Sequence, residues 1–225
     1  NALAHISLLN KDYDNAESLY QKALEGGEQW LSEHSSNVVN SDEGTEVLLN
    51  VAQSKDDLGY LNLCLAQIKS ELGDNDSFQD HRNKAEPLLN QALETREKLI
   101  KENDRDYQDD IPRNLDHLAM FHCLKEQWSQ AEKLYHEALE KRKSFCEEAH
   151  PLLAESYHNI GVYYFEFASY CHNEEKAKEK YEEAKRRYME SRKIGKEVHG
   201  KMHINIAKTL YELAKTCVML CQSVA

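Results

Sequence analysis

The stretch Gln127-Trp128-Ser129-Gln130-Ala131-Glu132-Lys133-Leu134-Tyr135-His136-Glu137-Ala138-Leu139-Glu140-Lys141-Arg142 decides the fold. Ala131 is followed four residues later by bulky Tyr135, and three further on by small Ala138. The same small–bulky–small spacing recurs at Ala16–Tyr20–Ala23, Ala85–Leu89–Ala92 and Ala184–Tyr188–Ser191. Residues seven apart share one helical face, so the small pair lets a neighbouring helix come close and the bulky residue fills the adjoining gap. A second marker, an apolar residue followed by a small one, occurs at Leu3-Ala4, Leu58-Gly59, Leu118-Ala119, Ile160-Gly161 and Leu213-Ala214. Glycine inside a helix costs about 1 kcal/mol relative to alanine, so Gly59 and Gly161 predict crossings too tight for a side chain.

The two markers alternate. Ala4 to Ala16 and Ala119 to Ala131 are each 12 residues, whereas Gly59 to Ala85 is 26 and Gly161 to Ala184 is 23. The longer spacings predict insertions between paired helices near 73–79 and 172–180, where Gly73-Asp74-Asn75-Asp76-Ser77 and His172-Asn173-Glu174-Glu175 are rich in turn and charged residues. Insertions in such arrays map to loops, often on the binding face. Gly26-Gly27 is expected to interrupt or end the first small–bulky helix.

The segment 127–142 resembles the kinesin light chain type of tetratricopeptide repeat. So do His150-Pro151-Leu152-Leu153-Ala154-Glu155-Ser156-Tyr157-His158-Asn159-Ile160-Gly161 and Ala85-Glu86-Pro87-Leu88-Leu89-Asn90-Gln91-Ala92-Leu93-Glu94. Nephrocystin-3 and the tetratricopeptide arms of some signalling NTPases share this long-repeat style, which exceeds the plain unit of about 34 residues. The resemblance implies an all-α fold, a right-handed superhelix or α-solenoid of about nine helices: four A–B pairs and a final unpaired A helix. It also implies one array over 1–225, with repeats at 1–42, 43–105, 106–149, 150–200 and a half repeat at 201–225. Leu3-Ala4 lies at the very start, and no B helix follows the apolar final helix. The expectation is a fragment of a longer protein, or a last helix that self-associates with another copy.

Composition narrows the function classes. The chain has 28 Lys+Arg against 40 Asp+Glu, a net charge of -12, which disfavours nucleic acid and suits basic or mixed-charge peptides. No apolar run approaches the roughly 20 residues of a membrane span, and no signal-peptide pattern opens the sequence. Cys64, Cys123, Cys146, Cys171, Cys217 and Cys221 are scattered singly, which reads as reduced thiols buried as small hydrophobes in a cytoplasmic protein.

Three constellations resemble chemistry. Asp104-Arg105-Asp106-Tyr107-Gln108-Asp109-Asp110 has alternating carboxylates but lacks the turn glycine and terminal glutamate of a calcium loop, and reads as a solvated connector. The histidines, His117 and His122 among them, lack the spacing of a zinc hydrolase and read as surface or groove residues. Lys176 to Arg187 is charge-dense, but Glu182 with Arg186 and Glu183 with Arg187 are i,i+4 pairs of a solvated helix face. No nucleophile–base pair, phosphate loop, metal set or cofactor motif is present, so the chain is not expected to be an enzyme.

The resemblance also locates a groove, lined in such proteins by A helices. Its exposed offsets transfer to Asn1, His5 and Leu8; to Gln53, Asp56, Tyr60 and Leu63; and to Arg113, Asp116, Met120 and Cys123. Further along they fall on Glu155, His158, Val162 and Phe165, and on Lys208, Tyr211, Lys215 and Val218. The kinesin light chain asparagine is kept only at Asn1; Asp56, Asp116, His158 and Tyr211 replace it elsewhere. Asp56 and Asp116 in the middle and Lys208 and Lys215 at the end suggest a peptide with a basic or polar centre and its acidic end at the last helix. The leading expectation is a non-catalytic protein-binding module of a larger adaptor or scaffold. The alternative is a regulatory or sensor arm of a multidomain signalling NTPase that contacts its own neighbours.

Overall fold

The computed structural model describes residues 2–34, 41–103, 110–200 and 203–222. All regular structure among them is α-helical, in nine helices; the chain divides into two compact units, Asn1–Leu124 and Lys125–Ala225, and within each unit the helices pack on their neighbours in sequence.

The first unit contains α1 (Ala2–Leu9), α2 (Tyr13–Glu33), α3 (Asp42–Glu71), α4 (Asn75–Asn103) and α5 (Asp110–Leu124). Ser41 caps α3 by accepting from the Gly44 amide at 3.0 Å, and Asp42 and Glu43 add negative charge to the first turn. The α3–α4 turn is short. Gly73 takes φ +73°, and Asp74 accepts from the Ser77 amide at 3.2 Å. The core joins Ala4 of α1 with Ala16, Tyr20 and Leu24 of α2 and Val51, Leu58 and Leu61 of α3.

The second unit contains α6 (Trp128–Phe145), α7 (Pro151–Tyr170), α8 (Glu174–His199) and α9 (Ile204–Gln222). His150 caps α7 ahead of Pro151, whose missing N–H is harmless in the first turn. Asn173 caps α8 by accepting from the Lys176 amide at 2.9 Å, and Gly200 ends it at φ +75°. Ala168, Tyr181 and Leu220 form a core shared by α7, α8 and α9.

The two markers meet as paired surfaces. A Cβ on Gly59 would stand 2.6 Å from Leu89 Cδ2, and one on Gly161 would stand 2.6 Å from Tyr188 Cε1. Each A-helix glycine therefore receives the bulky residue of the following B helix, which is the tight crossing expected from the sequence.

Two expectations need correction. The extra residues after Gly59 and Gly161 are not inserted loops: they lengthen helices. The α3–α4 turn occupies only 72–74 and the α7–α8 turn only 171–173, so most of 73–79 and 172–180 is helical. Nor does Gly26-Gly27 break α2, which runs through both. A Cβ on Gly27 would stand 2.5 Å from Val51 Cγ2, so this glycine serves close packing of α2 on α3 rather than termination.

Candidate binding surface

In the first unit, α3, α4 and α5 converge on the carboxylate of Asp56. This residue is fully buried, not groove-exposed. Its Oδ2 accepts from Arg96 Nη1 at 3.0 Å, and Arg113 Nε stands 3.5 Å away. Its Oδ1 accepts from Asn114 Nδ2 at 3.0 Å and pairs with His117 Nδ1 at 2.8 Å. Burial would raise the Asp56 carboxyl. The His117 charge and hydrogen bond, then Arg96 and Arg113, outweigh burial and hold it well below the usual carboxylate range.

Gln53 extends this network: it accepts from Arg96 Nη2 at 3.0 Å and from Arg113 Nη2, and donates to Asp57 at 2.7 Å. Burial and then the Asp56 charge raise the Asp57 carboxyl. Tyr60 stacks on His117 with ring centroids 4.5 Å apart. Gln53, Asp56, Tyr60 and Arg113 thus come together, but as internal packing rather than as an exposed groove lining: every oxygen of Asp56 is engaged by its own chain. Asp116 is buried as well, as are Leu63 and Cys123. The acidic middle of the expected groove is therefore not presented to solvent by these two aspartates. His117 is likewise no surface residue but a member of the network.

The sequence reasoning missed Arg96, Asn114 and His117 here. Arg96 had a signal. Ala92-Leu93-Glu94-Thr95-Arg96 and Ala138-Leu139-Glu140-Lys141-Arg142 share the order Ala-Leu-Glu-x-Arg, and both arginines are almost fully buried. Arg142 donates to Ser156 Oγ at 2.7 Å across α6 and α7. At the same offset α2 and α8 carry Gly27 and Gly195, so this register holds either a partnered arginine or no side chain.

In the second unit, α7 and α9 lie side by side, and their seam differs from the buried network. Lys215 pairs with Glu212 at 2.9 Å, and its ammonium stands 4.8 Å from the Phe165 ring centroid and 5.5 Å from that of Tyr211. Tyr211 is 65% exposed, and Glu155, Lys208 and Lys215 are also exposed. His158 is half-buried, bonds Thr209 Oγ1 at 3.1 Å and tilts against Tyr188; Val162 is half-buried. In the first unit, Met120 is half-buried. Asn1 and the side chain of His5 lie outside the described residues, as do 104–109 of the acidic connector.

Glu166 of α7 faces the same seam. Burial, then the Glu212 carboxylate, push it up to about 7 from the ordinary 4.5, against the Lys215 charge. A carboxyl raised by folding binds its proton more tightly in the folded state, so it withdraws stability as pH rises from about 4.5 to about 7. Glu166→Gln should therefore melt at a higher temperature than the parent at pH 8 and close to it at pH 4.5. An equal difference at both pH values in thermal scans would contradict this.

Several other sequence features find simple places. Glu183 pairs with Arg187 at 2.7 Å as expected, and also with Arg186, whereas Glu182 pairs with Lys185 at 3.5 Å. Lys176 and Lys180 stand over the Phe167 ring at 5.2 and 5.5 Å. Of the cysteines only Cys123 is buried; Cys221 is exposed and the others are half-buried. Among the described residues, no group of three or more His, Cys, Asp or Glu is placed to hold a metal, and no helix is long and apolar enough to cross a membrane.

The tetratricopeptide repeat family matches residues 110–170, the span from the start of α5 to the end of α7. No curated protein sequence matches the chain. Among solved structures the chain is similar to the crystal structure of BtubC (BKLC) from P. vanneervenii. The identity is 20%, the TM-score is 0.42, and the match covers 94% of this chain and 89% of that one. A likeness at that level carries no argument about function. Over 110–170 the chain therefore resembles a tetratricopeptide repeat, and its described helices, packed in successive pairs within each unit, make an all-α fold.

Proposed function

We propose that the chain is a non-catalytic module that binds an extended peptide or partner segment across the A-helix face of its second unit, as part of a larger adaptor or scaffold of the kinesin light chain type. The observation that carries this reading is the α7–α9 seam. Lys208, Tyr211 and Lys215 of α9 and Glu155 of α7 are exposed on two adjacent A helices, beside half-buried His158, Val162 and Phe165. A large exposed aromatic flanked by charges of both signs is the composition of an interface anchor. The first unit supports the division by contrast, because Gln53, Asp56 and Arg113 are engaged with one another.

The net charge of -12 favours partners that are basic or of mixed charge, and works against nucleic acid. The predicted result concerns Tyr211. Tyr211→Ala removes an exposed ring, so it should leave the melting temperature within about 1–2 °C while costing about 2 kcal/mol of partner binding. The measurement is titration calorimetry with a partner peptide selected on the parent chain from a displayed peptide library. Undiminished affinity in the combined Glu155→Ala, Tyr211→Ala variant would remove the α7–α9 face from the proposal.

A further inference from the structure

The seam between α7 and α9 already holds a cation, the chain's own Lys215 ammonium. It lies between Phe165 of α7 and Tyr211 of α9, at 4.8 and 5.5 Å from their ring centroids, and bonds Glu212 at 2.9 Å. Aromatic faces attract ammonium and guanidinium groups through the ring quadrupole. Glu212 pairs with this lysine, and Glu166, its carboxyl pushed up to about 7, is a second acid within electrostatic reach of it. Tyr188 of α8 is fully buried, and among the described residues its hydroxyl has no hydrogen-bond partner; burial, then the Glu212 and Glu166 charges, raise that hydroxyl. The Glu212 carboxylate and the Phe165 and Tyr211 rings thus form a cation site that one flexible lysine fills from the side. That lysine is 43% exposed, so it can swing out into water.

We infer that this seam is a seat for one arginine side chain of a bound peptide, and that Lys215 is its displaceable internal occupant. A guanidinium carries five donors in a planar fork. It can pair with a carboxylate and stack on an aromatic face at once, which the ammonium of Lys215 does less well. The inference rests on the proposed peptide-binding reading and deepens it. It also reverses the orientation expected from sequence: the Lys215 charge is held by Glu212, so the last helix receives a basic residue rather than an acidic end. Of the other charges nearby, Lys208 is exposed on α9, and His158 is bonded to Thr209.

The test uses the full chain and two small probes, N-acetyl-argininamide and its neutral counterpart N-acetyl-citrullinamide, titrated while the side-chain NMR lines of Phe165, Glu166, Tyr211 and Glu212 are followed. The arginine probe should shift these lines saturably and the citrulline probe should not. Lys215→Ala removes the competing cation and should tighten the arginine probe by roughly threefold or more. Lys208→Ala, an equal change of net charge on the same helix, should leave it nearly unchanged. Glu212→Gln should weaken it.

Equal shifts from both probes, no saturable shift, or equal effects of Lys215→Ala and Lys208→Ala would overturn the seat. A partner peptide that binds without moving these four lines would also overturn it, while leaving the peptide-binding reading intact. If the arginine probe saturates but no peptide binds the chain, the seat stands and the peptide-binding reading fails.

Discussion

Asp56→Ala should cost about 3–5 kcal/mol of stability, the range for removing one partner of a buried ion pair. The reason is what remains. Arg96 is 1% exposed, and without Asp56 the acceptor it keeps among the described residues is the Gln53 amide oxygen. Asn114 Nδ2 keeps its bond to Leu89 O, but the His117 ring loses its carboxylate acceptor. Arg113 suffers less, because it also pairs with Asp110 at 2.8 Å and is one-third exposed. Replacing Asp56 and Arg96 together with apolar residues, as in Asp56→Leu with Arg96→Met, should recover much of the loss, since no buried cation is then stranded.

The chain has two tryptophans, Trp30 in the first unit and Trp128 in the second, so urea unfolding can be read in each unit separately. The loss should fall on the Trp30 transition. A change below about 1 kcal/mol there would mean that the network is not the internal support described. The same geometry has a pH signature. Asp56 has a folded pKa below its unfolded one, so its contribution is fully present above about pH 4 and is lost as pH falls further.

The second large effect is Gly161→Val. A Cβ at this position already lies 2.6 Å from the Tyr188 ring, and Tyr188 is fully buried and cannot swing away. Valine adds two methyl groups to a crossing with no room for one, so overpacking of about 3 kcal/mol is expected, well above any gain in helix propensity. Gly26→Ala is the control. It lies inside α2 with nothing within 4 Å of the added Cβ, and should stabilise by about 0.5–1 kcal/mol. Urea midpoints followed at Trp128 and Trp30 respectively measure both. A neutral Gly161→Val would show that α7 and α8 can separate without penalty.

These residues also mark how far the sequence could be read. Gly59 and Gly161 were legible because a glycine inside a helical pattern is unfavourable unless something presses against it, and the bulky partners Leu89 and Tyr188 recur at a fixed register. Helix lengths were less legible. Gly73-Asp74 signals a turn, but nothing local says whether the residues after it extend the next helix or form a loop; in the structure α4 takes them from Asn75 onward.

Exposure at the transferred groove positions was the least legible feature. An offset fixes the side of a helix, but not what a helix 40 or more residues away brings to it. Arg96, Asn114 and His117 are 40, 58 and 61 residues from Asp56. Repetition of Ala-Leu-Glu-x-Arg could have drawn attention to Arg96 and Arg142, because a packing face that repeats an arginine needs an acceptor for it. On α7 and α9 the same offsets lead to Glu155, Lys208, Tyr211 and Lys215, which are exposed. The difference lies in the side chains: the arginines of α4 and α5 reach into the α3 acid, whereas the seam in the second unit is lined by Phe165 and a lysine that faces water.

The most direct test of peptide binding on the A helices of the second unit is amide hydrogen exchange of the full chain, with and without a saturating selected peptide. Added protection should concentrate in 151–170 and 204–222, with little change in α3 around Asp56. Protection confined to α8 or to the first unit, with α7 and α9 unchanged, would contradict it.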